Sequence, residues 1–255
     1  MANKQKKNPI VLFIHKTGSP EYFYKLSGRF LPWLIAITTI LTAWGLYQAL
    51  YVVPPDYQQS ESYRILFIHV PSAWMSMFIY AAMAVMAFIA LVWRIKVAEI
   101  CAMASAPIGA AFTFITLCTG ALWGKPMWGA YWVWDARMTS ELVLLFIYLG
   151  IIALYRSIDD RRAAARVASI MALVGLVNLP IIHYSVEWWT TLHQGQTIRL
   201  TGPSSIDASM LPPLIIMAVA TKTYFIAAML ANARNMLIEQ DRNKSWVRRL
   251  IGDAP

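Results

Sequence analysis

Six runs of about twenty apolar residues divide this chain, and they decide most of what it can become. A hydrocarbon core of about 30 Å is crossed by about 20 apolar residues in an α-helix. The stretches 31–53, 71–93, 100–122, 138–155, 167–187 and 210–231 each approach that length. Backbone N–H and C=O groups in lipid must pair within their own segment, so the pattern predicts an all-α membrane protein, a bundle of six transmembrane helices. The first run is too long for a signal-peptide core. It is followed by Pro54-Pro55-Asp56 rather than a small-residue cleavage site, and is kept as a span.

Composition excludes other classes. Hydrophobic residues make up 58% of the 255, charged ones only 14%, and the mean hydropathy is +0.51. A globular domain carries about 25% charged residues, so neither a soluble enzyme of ordinary surface nor a disordered chain fits. The net charge of +9 would suit nucleic acid, but the basic residues flank the apolar runs. They read as topology charges, and no nucleic-acid partner is expected. Seventeen Lys and Arg fall on one side, from Lys4, Lys6, Lys7, Lys16, Lys25 and Arg29 through Arg94, Lys96, Arg156 and Arg166 to Arg248 and Arg249. Only Arg64, Lys125, Arg137 and Arg199 fall on the other. Both termini are therefore expected in the cytoplasm, with loops 54–70, 123–137 and 188–209 outside, in the periplasm of a two-membrane bacterium. The expected organisation is a cytoplasmic tail over 1–30, the six-helix domain over 31–231 and a second cytoplasmic tail over 232–255.

The outer loops hold the unusual residues. The middle one contains Trp123, Trp128, Trp132 and Trp134 with Tyr131 among them. Trp favours the headgroup level, so an interfacial belt is one explanation. A belt scatters Trp over all helix ends, whereas these four are packed into one segment with two glycines and a proline. That composition suits a flat aromatic shelf for a planar apolar ligand. Asp135 stands where a short acid caps the next helix. Arg137 and Glu141, four apart, are spaced to pair on that helix.

Four histidines remain. His15 lies in the basic tail. His69 precedes Pro71, which suits a first helical turn, and this places His69 at the outer mouth of the second span. His193 follows Trp188-Trp189-Thr190-Thr191-Leu192, past the outer end of the fifth span. Two histidines on separate outer loops, both beside aromatics, form a candidate bis-imidazole iron site. His183 lies about one turn inside the fifth span and reads as a polar contact between helices or a further ligand. Lys222, within the sixth span, can snorkel or attract a carboxylate.

Other motifs fail. Gly120-Ala-Leu-Trp-Gly124-Lys125 has three residues between its glycines and Pro126 where a phosphate-binding loop needs Ser or Thr. No Ser/His/Asp nucleophile, CxxC or CxxCH motif occurs. Cys101 and Cys118 are seventeen positions apart, about 25 Å on one helix, beyond disulfide reach. No enzymatic activity and no ATPase motif is expected.

The segment Trp128-Gly129-Ala130-Tyr131-Trp132-Val133-Trp134-Asp135 fits the WGxxWxWD signature of the haem-handling membrane proteins of cytochrome c maturation. Together with Asp135-Ala-Arg-Met-Thr-Ser-Glu and Asn178-Leu-Pro-Ile-Ile-His-Tyr-Ser-Val-Glu-Trp-Trp, it resembles the CcmC family. The match is dense from about Pro55 to Gln194 and thins at both ends. Larger relatives with the same signature are much longer chains. The resemblance implies transient binding of haem b at the periplasmic face of the inner membrane and its delivery to the haem chaperone CcmE. It implies work beside the transporter pair CcmA and CcmB and the small membrane protein CcmD. It also assigns the axial iron ligands to His69 and His193, the shelf to Trp128, Trp132 and Trp134, and supporting roles to Trp123 and Asp135. Tyr131 stands where the family often has tryptophan, and also stacks. Haem propionates need cationic partners, and Arg64 and Arg137 are the favoured outer cations over Lys125 and Arg199. The rival reading is a membrane cytochrome b with a permanent haem, whose ligands would lie inside the spans. A channel subunit would need a polar pore-lining stripe that this sequence lacks.

Overall fold

A computed structural model describes residues 18–193 and 206–252. His15, Lys4, Lys6, Lys7 and Lys16 of the basic tail, and Gln194 and Arg199 of the third outer loop, lie outside the described residues. Among the described residues six helices are long and apolar enough to cross a membrane, matching the six apolar runs one for one. Helix α1 (Pro20–Tyr47) continues through a π-helical turn, Gln48–Val52. A 3₁₀ turn, Glu61–Ile65, leads into α2 (Leu66–Trp93). Then follow α3 (Lys96–Trp128), α4 (Ala136–Ser157) and α5 (Arg161–Val174), which passes through a short 3₁₀ turn into α6 (Asn178–Trp188). Helix α7 (Leu211–Gln240) forms the last span, and the short α8 (Ser245–Ile251) follows it.

Helix α3 is the axis of the bundle. Of its apolar stretch 72% is buried inside the protein, against 6% for α1. Sequence explains the difference: Ala102, Ala104, Ala106 and Ala110 are all buried on α3, and small residues let helix backbones approach closely. Helices α2 and α4 close around it through Tyr80, Met83, Leu144, Tyr148 and Ile151, which form the main core cluster. Helix α1 pairs chiefly with α7 on the outside and leaves Trp33, Ile40 and Trp44 exposed, as lipid-facing residues should be.

Several helices run beyond their apolar stretches, and this corrects three expectations. Helix α1 begins at Pro20, not near residue 31, because Pro at the first helical position and the polar first turns extend the helix. Helix α3 continues to Trp128, so Trp123 and Trp128 lie on a helix and only Trp132 and Trp134 on the following loop. Helix α2 begins before His69, and Pro71 sits inside the helix rather than in its first turn. His69 is therefore a helical residue and not a loop residue. The 3₁₀ turn satisfies the early amides, so the helix needs no Pro to start it.

Helix ends fix the geometry of the candidate site. At its C-terminus α3 stops at Gly129, whose φ of 78° is the left-handed cap favourable for glycine, with its N–H donating to the Lys125 carbonyl at 3.0 Å. Six residues later Asp135 starts α4, its side chain accepting the Met138 N–H at 2.8 Å. The tryptophan loop is thus stretched between a glycine stop and an aspartate start.

Candidate functional site

Two imidazoles stand at the end of the bundle where α1 stops and α2 starts, each braced from behind. His69 reaches from α2 to α3, with its Nδ1 3.0 Å from the Thr119 hydroxyl. That hydroxyl donates its one proton to the Ile115 carbonyl at 2.6 Å, so it meets His69 as an acceptor. With Nδ1 engaged by Thr119, Nε2 of His69 makes no hydrogen bond among the described residues. A Cβ at Gly120 would lie 3.0 Å from His69 Cε1, so the absence of a side chain there makes room for the ring. The indole of Trp123 packs edge-on against His69, with centroids 5.7 Å apart, and its Nε1 donates to Gln59 Oε1 at 2.9 Å.

His193 is braced by charge. Its Nδ1 lies 2.9 Å from Asp135 Oδ2, which also accepts a hydrogen bond from Thr191 Oγ1. The His193 amide donates back to Thr191 Oγ1 at 3.1 Å. Burial opposes charge on Asp135, but hydrogen bonds from Thr191, the Met138 amide and His193 outweigh it and hold the carboxyl below its ordinary pKa. Burial likewise lowers His193, against the Asp135 hydrogen bond and charge that raise it, and the Arg137 charge lowers it further. His193 is therefore neutral at neutral pH, donates Nδ1–H to an ionised carboxylate and leaves Nε2 unprotonated. Carboxylate–histidine pairs of this kind fix the tautomer of metal-binding imidazoles. Trp128 packs edge-on against His193 at 4.9 Å.

Helix α3 connects the halves, since its Trp123 touches one histidine and its Trp128 the other. His69, His193 and Arg137 are close enough to interact electrostatically. Trp132 and Trp134 form a separate T-shaped pair at 5.3 Å. Trp134 is 75% exposed, whereas the Trp132 Nε1 is buried with no acceptor among the described residues. The four tryptophans are thus two histidine packers and one loop pair, rather than a single loop shelf.

The outer cations differ in what holds them. Arg64 is committed: it pairs with Glu61 at 2.5 Å and donates to the Ala49 and Val53 carbonyls at the end of α1. Lys125 donates to the Gly129 carbonyl at 3.0 Å and lies over the Tyr131 ring. Arg137 makes no side-chain hydrogen bond or ion pair among the described residues, so the i,i+4 pairing with Glu141 does not close. His183 is exposed on α6 with its ring against Tyr184. Lys222 is exposed over the Phe78 ring. Cys101 is buried, Cys118 exposed, and both are free.

Sequence reasoning missed Thr119, Thr191, Gln59 and Gly120. Thr191, two residues before His193, was the one with a local signal, because Thr at that spacing readily bonds a following amide. The others reach the site only through helix packing.

Among the described residues no three His, Cys, Asp or Glu side chains gather into a cage for a bare metal ion. Two imidazoles with free Nε2 atoms suit iron that already carries four ligands from a porphyrin, and the flanking indoles suit the porphyrin itself.

Comparison with known proteins identifies the family. The family model described as Heme exporter protein C matches residues 13–248. A Heme exporter protein C of Bradyrhizobium diazoefficiens is 51% identical over 223 residues, covering 88% of this chain and 84% of the relative. That of Escherichia coli K12 is 50% identical over 244 residues, covering 93% and 96%. The Haemophilus influenzae protein is 46% identical over 238 residues, covering 93% and 97%. With the match running from the basic tail to α8, this chain belongs to the heme exporter protein C family, CcmC.

Proposed function

We propose that this protein handles haem for cytochrome c maturation. It binds haem b transiently as cargo at the periplasmic face of a bacterial inner membrane and passes it to the chaperone CcmE. In this reading it works in a haem exporter complex with CcmA, CcmB and CcmD, both termini are cytoplasmic, and the chain carries out no chemistry of its own. The observation that carries the proposal is the matched pair of imidazoles. Each has Nδ1 committed to a protein acceptor, Thr119 or Asp135, and Nε2 free to bind iron. Trp123 and Trp128 shield the edges of the two rings, Trp132 and Trp134 extend the aromatic surface, and Arg137 supplies an uncommitted cation for a propionate.

The two ligands sit on unlike supports, and this suits a cargo that must leave. His69 belongs to a long helix packed on α3, whereas His193 lies beyond the end of α6 and is held by Asp135, Thr191 and Trp128. Release needs motion of the His193 segment alone, with no repacking of the bundle. A permanent electron-transfer haem would be better served by two ligands buried between helices.

The test is transfer. The purified protein should show a low-spin absorption spectrum and lose it in step with haem appearing on added CcmE. A spectrum that persists while CcmE remains unloaded would count for the cytochrome b reading.

A further inference from the structure

Glu141 is a buried acid with no part in holding either imidazole. It lies one turn below Arg137 on α4 and is 5% exposed. It faces Ser76 of α2, and its Oε1 has no hydrogen-bond partner among the described residues. The Tyr148 hydroxyl donates to the Ser76 carbonyl at 2.8 Å and closes the floor beneath it, while Asn178 is engaged with the Ser140 carbonyl at 2.9 Å. An ionisable group at such depth is a functional candidate by default, and its partner should be nearby.

The charges around Arg137 identify that partner. Asp135 and Glu141 are the two acids whose fields reach the guanidinium, and His69 and His193 are the titratable groups on its other side. Asp135 is fully engaged: Oδ1 takes the Met138 amide, and Oδ2 takes Thr191 and His193. Glu141 alone holds an oxygen in reserve, yet it does not close to an ion pair with Arg137. The guanidinium therefore lies in the field of one uncommitted carboxylate, with its fork of donors untaken among the described residues. That fork suits bidentate binding of a carboxylate.

Resting on the proposed haem-binding role, we infer that Glu141 is a positioning residue that acts as the internal rival of the ligand's carboxylate. It acts on Arg137 through its field, without closing an ion pair, and weakens the grip of Arg137 on a haem propionate when the site is full. A lone buried guanidinium would hold the propionate too firmly for hand-over. A second carboxylate one turn away lowers the affinity for the anion.

The inference is tested with the full-length protein in detergent by titrating ferric haem b and, separately, its dimethyl ester, whose propionates carry no charge. Glu141→Gln keeps the side-chain shape and removes the rival charge. It should tighten haem several-fold, leave the ester unchanged and slow transfer to CcmE. In an Arg137→Gln background the same change should have no effect on haem affinity. Glu141→Asp, which draws the charge back by one methylene, should act in the same direction more weakly. It serves as the test if the Gln variant does not accumulate. Equal weakening of haem and ester, or no change in either, would overturn the inference. So would Arg137→Gln leaving the haem-to-ester affinity ratio at its wild-type value. Failure of the haem-binding reading shows separately, as a wild-type protein without a low-spin spectrum.

Discussion

The Asp135 carboxylate holds two structures at once. One oxygen caps α4 through the Met138 amide at 2.8 Å, and the other accepts Nδ1 of His193 at 2.9 Å. The start of a transmembrane helix and the orientation of a candidate iron ligand thus depend on one side chain, which also ends the tryptophan signature.

Separating those two roles gives the first prediction. Asn is as good an N-cap as Asp, so Asp135→Asn should leave thermal stability nearly unchanged while removing the anion behind His193. Loss of such a supporting acceptor typically weakens metal binding by about 10–100-fold. Asp135→Ala should lose the cap as well, about 1 kcal/mol of stability. Haem titration and thermal unfolding of the two variants separate the effects. Equal haem affinity in Asp135→Asn and wild type would show that the carboxylate only caps.

Two glycines, one within α3 and one capping it, should respond differently. Gly120→Ala places a methyl 3.0 Å from His69 Cε1 and should displace the imidazole, cutting haem occupancy with little change in melting. Gly129→Ala meets open space but forces a side chain into φ 78°, about 1–2 kcal/mol of strain. It should lower stability more than it lowers haem binding. Absorbance at saturating haem and melting curves of both variants decide the matter.

The tryptophans should rank by contact rather than by membership of the signature. Trp123→Ala and Trp128→Ala each remove an aromatic contact to a histidine, worth about 0.5–1.5 kcal/mol beyond buried area. Trp134, 75% exposed, should matter less singly. Equal losses from all four single Ala variants would favour one continuous shelf over the divided arrangement.

Acid should release the cargo, and the sign follows from His193. Burial holds its imidazole below the ordinary value of 6.5, against the pull of Asp135. Protons then compete with iron for Nε2 only at pH values more acid than for a free imidazole. The low-spin spectrum should persist as pH falls through 6.5 and fade below it. Loss of the spectrum between pH 8 and 7 would contradict a neutral, carboxylate-braced His193.

Much of the fold was legible because lipid allows few alternatives. Six apolar runs gave six spans, and Asp135 announced a helix start through its side-chain chemistry. The run lengths understated the helices, since polar turns such as those from Pro20 onward extend past the hydrocarbon. His69 and Trp123 therefore moved from expected loops onto helices. Both candidate histidines were visible from their neighbours. Their supports were not, because Thr119 and Gly120 meet His69 only when α2 packs on α3. Nor does the sequence distinguish Arg64 from Arg137. Only the folded chain places the end of α1 where its carbonyls occupy Arg64 and, among the described residues, leaves Arg137 uncommitted.

The most direct measurement is the absorption spectrum of the purified, haem-loaded protein beside its His69→Ala, His193→Ala and double variants. A bis-imidazole low-spin spectrum in the wild type should be altered in each single variant and absent in the double, with all four proteins equally helical by circular dichroism. A double variant that keeps the wild-type bis-histidine spectrum would contradict the account and move the iron to other ligands.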